Sequence, residues 1–190
     1  MNRPITSKEA LLTTARALTA QDGLLKLTVR KLAGAAGVSI GTVYNYFPSK
    51  EALIEAVIRS VWLQVFHGQN QQQPQAFLPA LAWVYSRMQA AQARYPDLMA
   101  AHDHRTIMAT SPGLQAMHAH IQAALVRTLE ADPHWPATAA KTGLSPDQVV
   151  HFALTHLKYA ASDHRADCRD LLAILAALLE KEDPHASSLY

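Results

Sequence analysis

One cysteine, Cys168, stands in 190 residues. That excludes an internal disulfide framework, denies the chain a thiolate-rich metal site of its own, and fits a reducing compartment. Glycine is scarce, at seven residues, and β-branched residues do not alternate with polar ones over the length of a strand. Both shortages, beside abundant Ala and Leu, argue for an all-helical fold. No apolar run approaches the ~20 residues of a membrane span, and the N-terminus carries no apolar leader, so a cytoplasmic protein is expected, with no membrane partner. A glycine-rich phosphate loop, a nucleophile elbow and paired carboxylates are also missing, which leaves enzyme chemistry and cofactors without support.

Acidic residues are missing from one place in particular. Residues 1–50 hold Arg3, Lys8, Arg16, Lys26, Arg30, Lys31 and Lys50 against only Glu9 and Asp22, whereas the whole chain nets just +2. A basic first part on a chain of nearly balanced charge points to a nucleic acid partner.

The same part carries the most specific pattern, TVRKLAGAAGVSIGTVYNYFPSK at residues 28–50. Val29, Leu32, Ala33 and Ala36 follow the i, i+3, i+4, i+7 spacing of a helix with one buried face. Gly37 breaks that helix where a tight turn wants positive φ. A second helix follows, with Ile40, Val43 and Phe47 expected on its buried side. Ser39, Thr42, Asn45 and Tyr46 are left facing outward, with no carboxylate among them. Thr28 caps the first of these helices and Ser39 the second, while Thr6-Ser7-Lys8-Glu9 reads as a capping box with Thr6 as the cap. The helix that box opens turns Leu11, Leu12, Ala15 and Leu18 inward and stops near Asp22-Gly23.

Beyond this region a helix is expected over 49–67, apolar on more than one side and therefore a connector between two domains. Gln69–Gln75 reads as a polar linker. Helices are expected at about 76–94, 97–108 and 113–131, then a loop over Asp132–Gly143, then helices at 146–162 and 167–182. Ser145-Pro146-Asp147-Gln148 is a strong start signal for the first of the closing pair. Leu171–Leu179 is apolar all round, so a homodimer through the last two helices is expected.

Thr28-Val29-Arg30, Leu32-Ala33, Ala36-Gly37-Val38-Ser39, Gly41-Thr42-Val43-Tyr44, Tyr46-Phe47-Pro48-Ser49-Lys50 and Leu53 together resemble the DNA-binding signature of the TetR family of bacterial transcriptional regulators. The resemblance covers about the first third of the chain. It implies an N-terminal three-helix helix-turn-helix domain at 1–50, joined to a larger helical ligand-binding and dimerisation domain at 51–190. It further implies that Thr28, Arg30, Tyr44 and Lys50 meet phosphates, while Ser39, Gly41, Thr42, Asn45 and Tyr46 face the major groove. Ile40 and Tyr46 depart from the residues frequent at their positions, which are lysine and histidine.

Candidates for a ligand site in the second domain are Trp83, Arg87, Met88, His102, His104, Met108, His118, Trp135 and Tyr159. Trp83 and Arg87, four residues apart on one helix, could serve an anion. Ten histidines raise the question of a metal. His102/His104 and His118/His120 are i, i+2 pairs that diverge on a helix, and His151/His156 are also off one face. A carboxylate-bridged pair needs repeated Glu-x-x-His, and only Glu182-Asp183-Pro184-His185 offers it; no metal is expected. The pattern leads to a homodimeric regulator, a repressor released from a palindromic double-stranded DNA operator by a small-molecule effector. The alternative is a helical DNA-binding protein, constitutive or under a protein partner's control, with no small-molecule pocket.

Overall fold

Hydroxyl caps set the helix starts in the first part of the chain. In the computed structural model, which describes residues 6–67, 74–99, 111–162 and 167–179, every regular element among those residues is helical. Helix α1 is Lys8–Asp22, α2 Val29–Ala36, α3 Ile40–Tyr46 and α4 Lys50–His67, with a short 3-10 turn at Leu24–Lys26. Then come α5 (Phe77–Arg94), α6 (Pro112–Glu130), α7 (Trp135–Thr142), α8 (Pro146–Ser162) and α9 (Arg169–Leu178). No helix among the described residues is long and apolar enough to cross a membrane.

Thr28 Oγ1 accepts the Lys31 N–H at 3.1 Å and Ser39 Oγ the Thr42 N–H at 3.0 Å, which places both caps where the sequence marks them. Ser49 caps α4 in the same way, accepting from Ala52 at 3.1 Å. At α8 the box closes in both directions: the Gln148 N–H donates to Ser145 Oγ at 3.2 Å, and the Ser145 N–H donates to Gln148 Oε1 at 2.8 Å. The start of α1 corrects the expectation. Ser7, not Thr6, is the cap, accepting from Ala10 at 3.1 Å. Glu9 then stands one position too early to reach back; it sits in the first turn, where the helix dipole favours an anion, 3.4 Å from Arg16.

The chain divides into two compact units, Met1–Gln69 with Ala90–Gln115, and Asn70–Gln89 with Ala116–Tyr190. In the first, α1 packs against α2 and α4, and α2 against α3. Its core is Leu11, Leu12, Ala15, Leu32, Val43, Phe47, Leu53 and Val57. Thr19, rather than Leu18, completes the buried side of α1; its hydroxyl donates to the Ala15 carbonyl at 2.9 Å, so it enters the core satisfied. Ile40 also departs from expectation, being 42% exposed. As the first residue of α3 it has no preceding turn to cover it, whereas Val43 and Phe47, one and two turns on, are fully buried.

Residues 95, 96 and 111 are tied to this body by polar contacts. The Leu24 N–H donates to the Pro96 carbonyl at 3.1 Å, the Tyr95 hydroxyl to Gln64 Oε1 at 3.3 Å, and the Ser111 hydroxyl to Glu55 Oε1 at 2.6 Å.

In the second unit, Phe77, Leu81, Leu125, Leu129, Val150, Ala153, Leu157, Leu171 and Leu175 are buried. Residues 135–142, expected within a loop, form α7. Pro136 falls in the first turn of that helix, where its missing N–H is no loss, and Gly143 ends it in the left-handed conformation at φ 69°. Thr138 Oγ1 donates to the Leu178 carbonyl at 3.2 Å, tying α7 to α9, and Gln122 Nε2 lies 3.3 Å from Asp147 Oδ1, tying α6 to α8. Most of the linker Gln69–Gln75, most of the helix expected at 97–108 and the end of the one expected at 167–182 lie outside the described residues.

Two glycines separate conformational strain from crowding. Gly37 has φ +65° and open space where a Cβ would go; Gly23 has φ +90° and ψ 152°, and a Cβ there would stand 2.6 Å from Asp97 Oδ2. Gly23→Ala should therefore cost about 1–3 kcal/mol for the backbone conformation, plus the clash. Gly37→Ala should cost only the left-handed penalty of about 1–2 kcal/mol. Urea unfolding of both variants checks this, and equal losses would show that Asp97 yields freely.

Candidate nucleic-acid interface

The angle between α2 and α3 is set at Gly37. Its N–H meets the Gly34 carbonyl at 3.3 Å and the Val38 N–H meets the Ala33 carbonyl at 3.0 Å. These are the paired bonds of a Schellman motif, which closes α2 and turns the chain straight into the Ser39 cap. Burial of Val29, Leu32 and Ala33 on α2 and of Val43 and Phe47 around α3 then decides which side of α3 is left outward. Each large side chain so buried contributes roughly 1.5–3 kcal/mol.

Ile40, Gly41, Tyr44 and Asn45 occupy that outward side and are exposed. Ser39 is exposed and Thr42 half-buried; their hydroxyls lie 2.9 Å apart, and Ser39 Oγ also serves as the cap. At Gly41 a Cβ would meet nothing closer than Ser39 Oγ at 3.7 Å, so no packing within the chain demands glycine there. What glycine provides is a backbone that an outside surface can approach closely. Arg30 and Lys50 are exposed, and Thr28, half-buried, spends its hydroxyl on its cap.

Tyr46 is placed differently from its neighbours. Half-buried, it donates its hydroxyl to the Thr6 carbonyl at 2.8 Å and borders a cavity of about 330 Å³ with Lys8, Leu12, Phe47, Arg59 and Leu63. Lys8 Nζ lies 5.7 Å over the Phe47 ring at the same place. The end of α3 is thereby fastened to the start of α1.

Acidic groups stand aside from the face. Asp22 holds Lys31 at 3.2 Å in an exposed pair, which contributes little to stability. Glu51 is next to Lys50, but its own backbone N–H and the Ser49 hydroxyl draw its carboxyl to the α4 terminus and hold it below the usual carboxylate range. An exposed, acid-free helix side with short polar groups at its centre and cations on its flanks can set phosphates at its edges and offer hydrogen bonds to base edges. Ile40 is the residue on this side that sequence reading assigned to the core. Its position at the first turn, without a turn before it, is the signal that could have placed it outside.

Of the ligand candidates, Trp83 and Arg87 come together, the guanidinium carbon 5.7 Å over the indole. Met88 is buried on the same helix and Trp135 at the start of α7; Tyr159 is 61% exposed on α8. His102, His104 and Met108 lie outside the described residues. No group of three or more His, Cys, Asp or Glu suited to a metal occurs among the described residues. His118, half-buried on α6, is held below the usual imidazole range first by burial, then by Lys158 and His151 from α8.

Comparison with known proteins bears on the first unit. The sequence profile of bacterial regulatory proteins of the tetR family matches residues 7–57. The chain is 37% identical over 71 residues to the HTH-type transcriptional repressor KstR2 of Mycolicibacterium smegmatis, covering 37% of this chain and 34% of that protein. It is 46% identical over 44 residues to the nucleoid occlusion factor SlmA of Actinobacillus pleuropneumoniae, covering 23% and 22% respectively. The matches thus span about a third of the length of one of these curated relatives and less than a quarter of the other. A variant TetR from Acinetobacter baumannii in complex with minocycline superposes with a TM-score of 0.57 over 92% of this chain and 95% of that one, at 20% identity, which shows a shared fold.

The His118 environment sets a pH dependence. Folding lowers the affinity of His118 for its proton, so the unfolded chain protonates first as the pH falls through about 6.5. Stability should be fullest above that value, decline on acidification, and level off once the folded form protonates too. Thermal melts across pH 5–8 should show His118→Gln flattening this part of the profile; an unchanged profile would remove His118 from it.

Proposed function

Through residues 7–57 the chain belongs to the TetR family of bacterial regulatory proteins, and from that premise we propose that it is a homodimeric transcriptional regulator, a repressor released from DNA by a small molecule. The observation that carries this reading is the outward side of α3, acid-free and fixed in direction by Gly37 and two hydroxyl caps. Asn45, at its exposed centre, can pair in bidentate fashion with adenine, and Gly41 allows close approach of the backbone. Arg30, Tyr44 and Lys50 meet phosphates and set the register. Ile40 offers its apolar surface to a thymine methyl. Tyr46 holds the end of α3 in place from beneath.

Two copies act together. The last two helices keep Leu157, Leu171 and Leu175 inside the second unit yet leave Phe152 57%, Tyr159 61% and Ile174 62% exposed. Apolar surface of this kind on both closing helices supports a dimer made through them. A two-fold dimer presents two α3 helices to half-sites one turn apart, about 34–36 Å.

The small molecule belongs to the second unit, a reading supported by the shared fold with a protein that holds minocycline. Release requires only that the ligand prefer the conformation with the wrong helix separation. A 100-fold loss of DNA affinity needs a differential of about 2.7 kcal/mol. A screen for compounds that dissociate the protein from bound duplex tests this part. Failure of every compound against a specific complex would favour a constitutive regulator.

Two substitutions separate reading from anchoring. Asn45→Ala should relax preference at one base position at a cost of ~1–3 kcal/mol, while Lys50→Ala should weaken binding to every duplex and reduce the salt slope by about one ion. Fluorescence anisotropy against single-base variants and a salt series distinguishes them, and exchanged behaviours would reverse the assignments. For the dimer, Ile174→Glu should shift sedimentation toward the monomer with helix content unchanged. A persistent dimer would place the interface elsewhere.

A further inference from the structure

Arg87 is half-buried on α5, and its Nε is shut off from solvent with no acceptor within reach. Its guanidinium lies over the Trp83 ring, and among the described residues no carboxylate forms an ion pair with it. A guanidinium keeps its charge in any surroundings, and an enclosed donor without an acceptor is a standing cost to the fold. Stacking on an indole alone would leave Nε free to face water. Here it is covered, while Val84 and Met88, neighbours on the same helix, are buried apolar side chains. The arrangement is a cation with one covered donor, set over an indole and beside buried apolar side chains.

We propose that Arg87 receives the carboxylate of an otherwise apolar effector, with Trp83 holding the guanidinium plane. The proposal rests on the reading above that the second unit takes a small molecule, and it names the chemistry of that molecule. Nε and one Nη of a guanidinium form a fork that matches the two oxygens of a carboxylate. One guanidinium balances one negative charge, which favours a carboxylate over a dianionic phosphate ester. The indole and the apolar neighbours favour a hydrocarbon or aromatic body over a sugar or a short polar acid.

The test uses the full chain and matched acid–amide pairs: hexanoate, decanoate, benzoate and 2-naphthoate, each beside its primary amide. Binding is followed by calorimetry and by tryptophan emission. At least one acid should bind about tenfold or more tightly than its amide. Arg87→Met should abolish that preference while leaving the melting temperature of the unliganded protein unchanged or higher, because a covered unpaired charge has been removed. Arg87→Lys should keep a reduced preference, since the charge remains and the fork is lost. Acids and amides that bind alike, the absence of binding by any acid, or a preference that survives in Arg87→Met would each overturn the assignment. A fall of several degrees in the Arg87→Met melting temperature would do so as well, by showing that Arg87 supports the fold. These outcomes are independent of the regulator reading. A neutral amide that releases bound DNA would keep that reading and remove Arg87 from it. Loss of all specific DNA binding would remove the reading, while the acid–amide comparison would still decide the role of Arg87.

Discussion

The turn at Gly37 is the constraint on which the first unit depends. With φ +65° and paired bonds back to Gly34 and Ala33, it admits few residues besides glycine and leaves α3 one direction to follow. Once that direction is set, burial of Val43 and Phe47 sets the roll of α3 about its own axis. Direction and roll together decide which side chains meet an outside surface. The Tyr46 hydroxyl on the Thr6 carbonyl and Lys8 over Phe47 then fasten the far end of α3 to α1. A recognition surface has to be rigid before it can be selective, because a base mismatch is felt only where side chains cannot move to relieve it.

What could be read in the sequence follows the range of the interactions. The caps at Thr28, Ser39 and Ser145 are local, each settled within three residues, and the structure has them where the sequence marks them. Thr6 and Ser7 are adjacent hydroxyls of similar capping strength, so local pattern alone could not choose between them. Helix α7 was hidden by Pro133 and Pro136, which punctuate a loop as readily as they open a helix. Ile40 has the spacing of the buried stripe but sits before the first complete turn, where periodicity no longer implies cover. The hydroxyl bond of Tyr46 reaches a residue forty positions away, and that of Ser111 one fifty-six away. Contacts at such separations come from tertiary packing and leave no periodic trace.

The second unit answers other demands. Its interior is ordinary helix packing, yet Phe152, Tyr159 and Ile174 are left in water and Arg87 is covered without an acceptor. Each is a cost to a single isolated copy of the chain. On the reading proposed above, a second copy at the closing helices and a ligand at α5 would relieve both costs. In the first unit Val43 and Phe47 are covered, while the apolar groups that α3 leaves exposed, Ile40 and Tyr44, share its outward side with polar ones. In the proposed function, the first unit reads DNA and the second decides when it is read.

Selection of bound duplexes from a random pool, by the purified protein at near-physiological salt, tests the central claim most directly. The expected result is one two-fold motif whose half-sites lie one helical turn apart, about 34–36 Å, with an adenine in each half whose importance disappears in Asn45→Ala. Recovery of sequence-independent, salt-labile binding alone would contradict it, leaving α3 a helix that touches DNA without reading it.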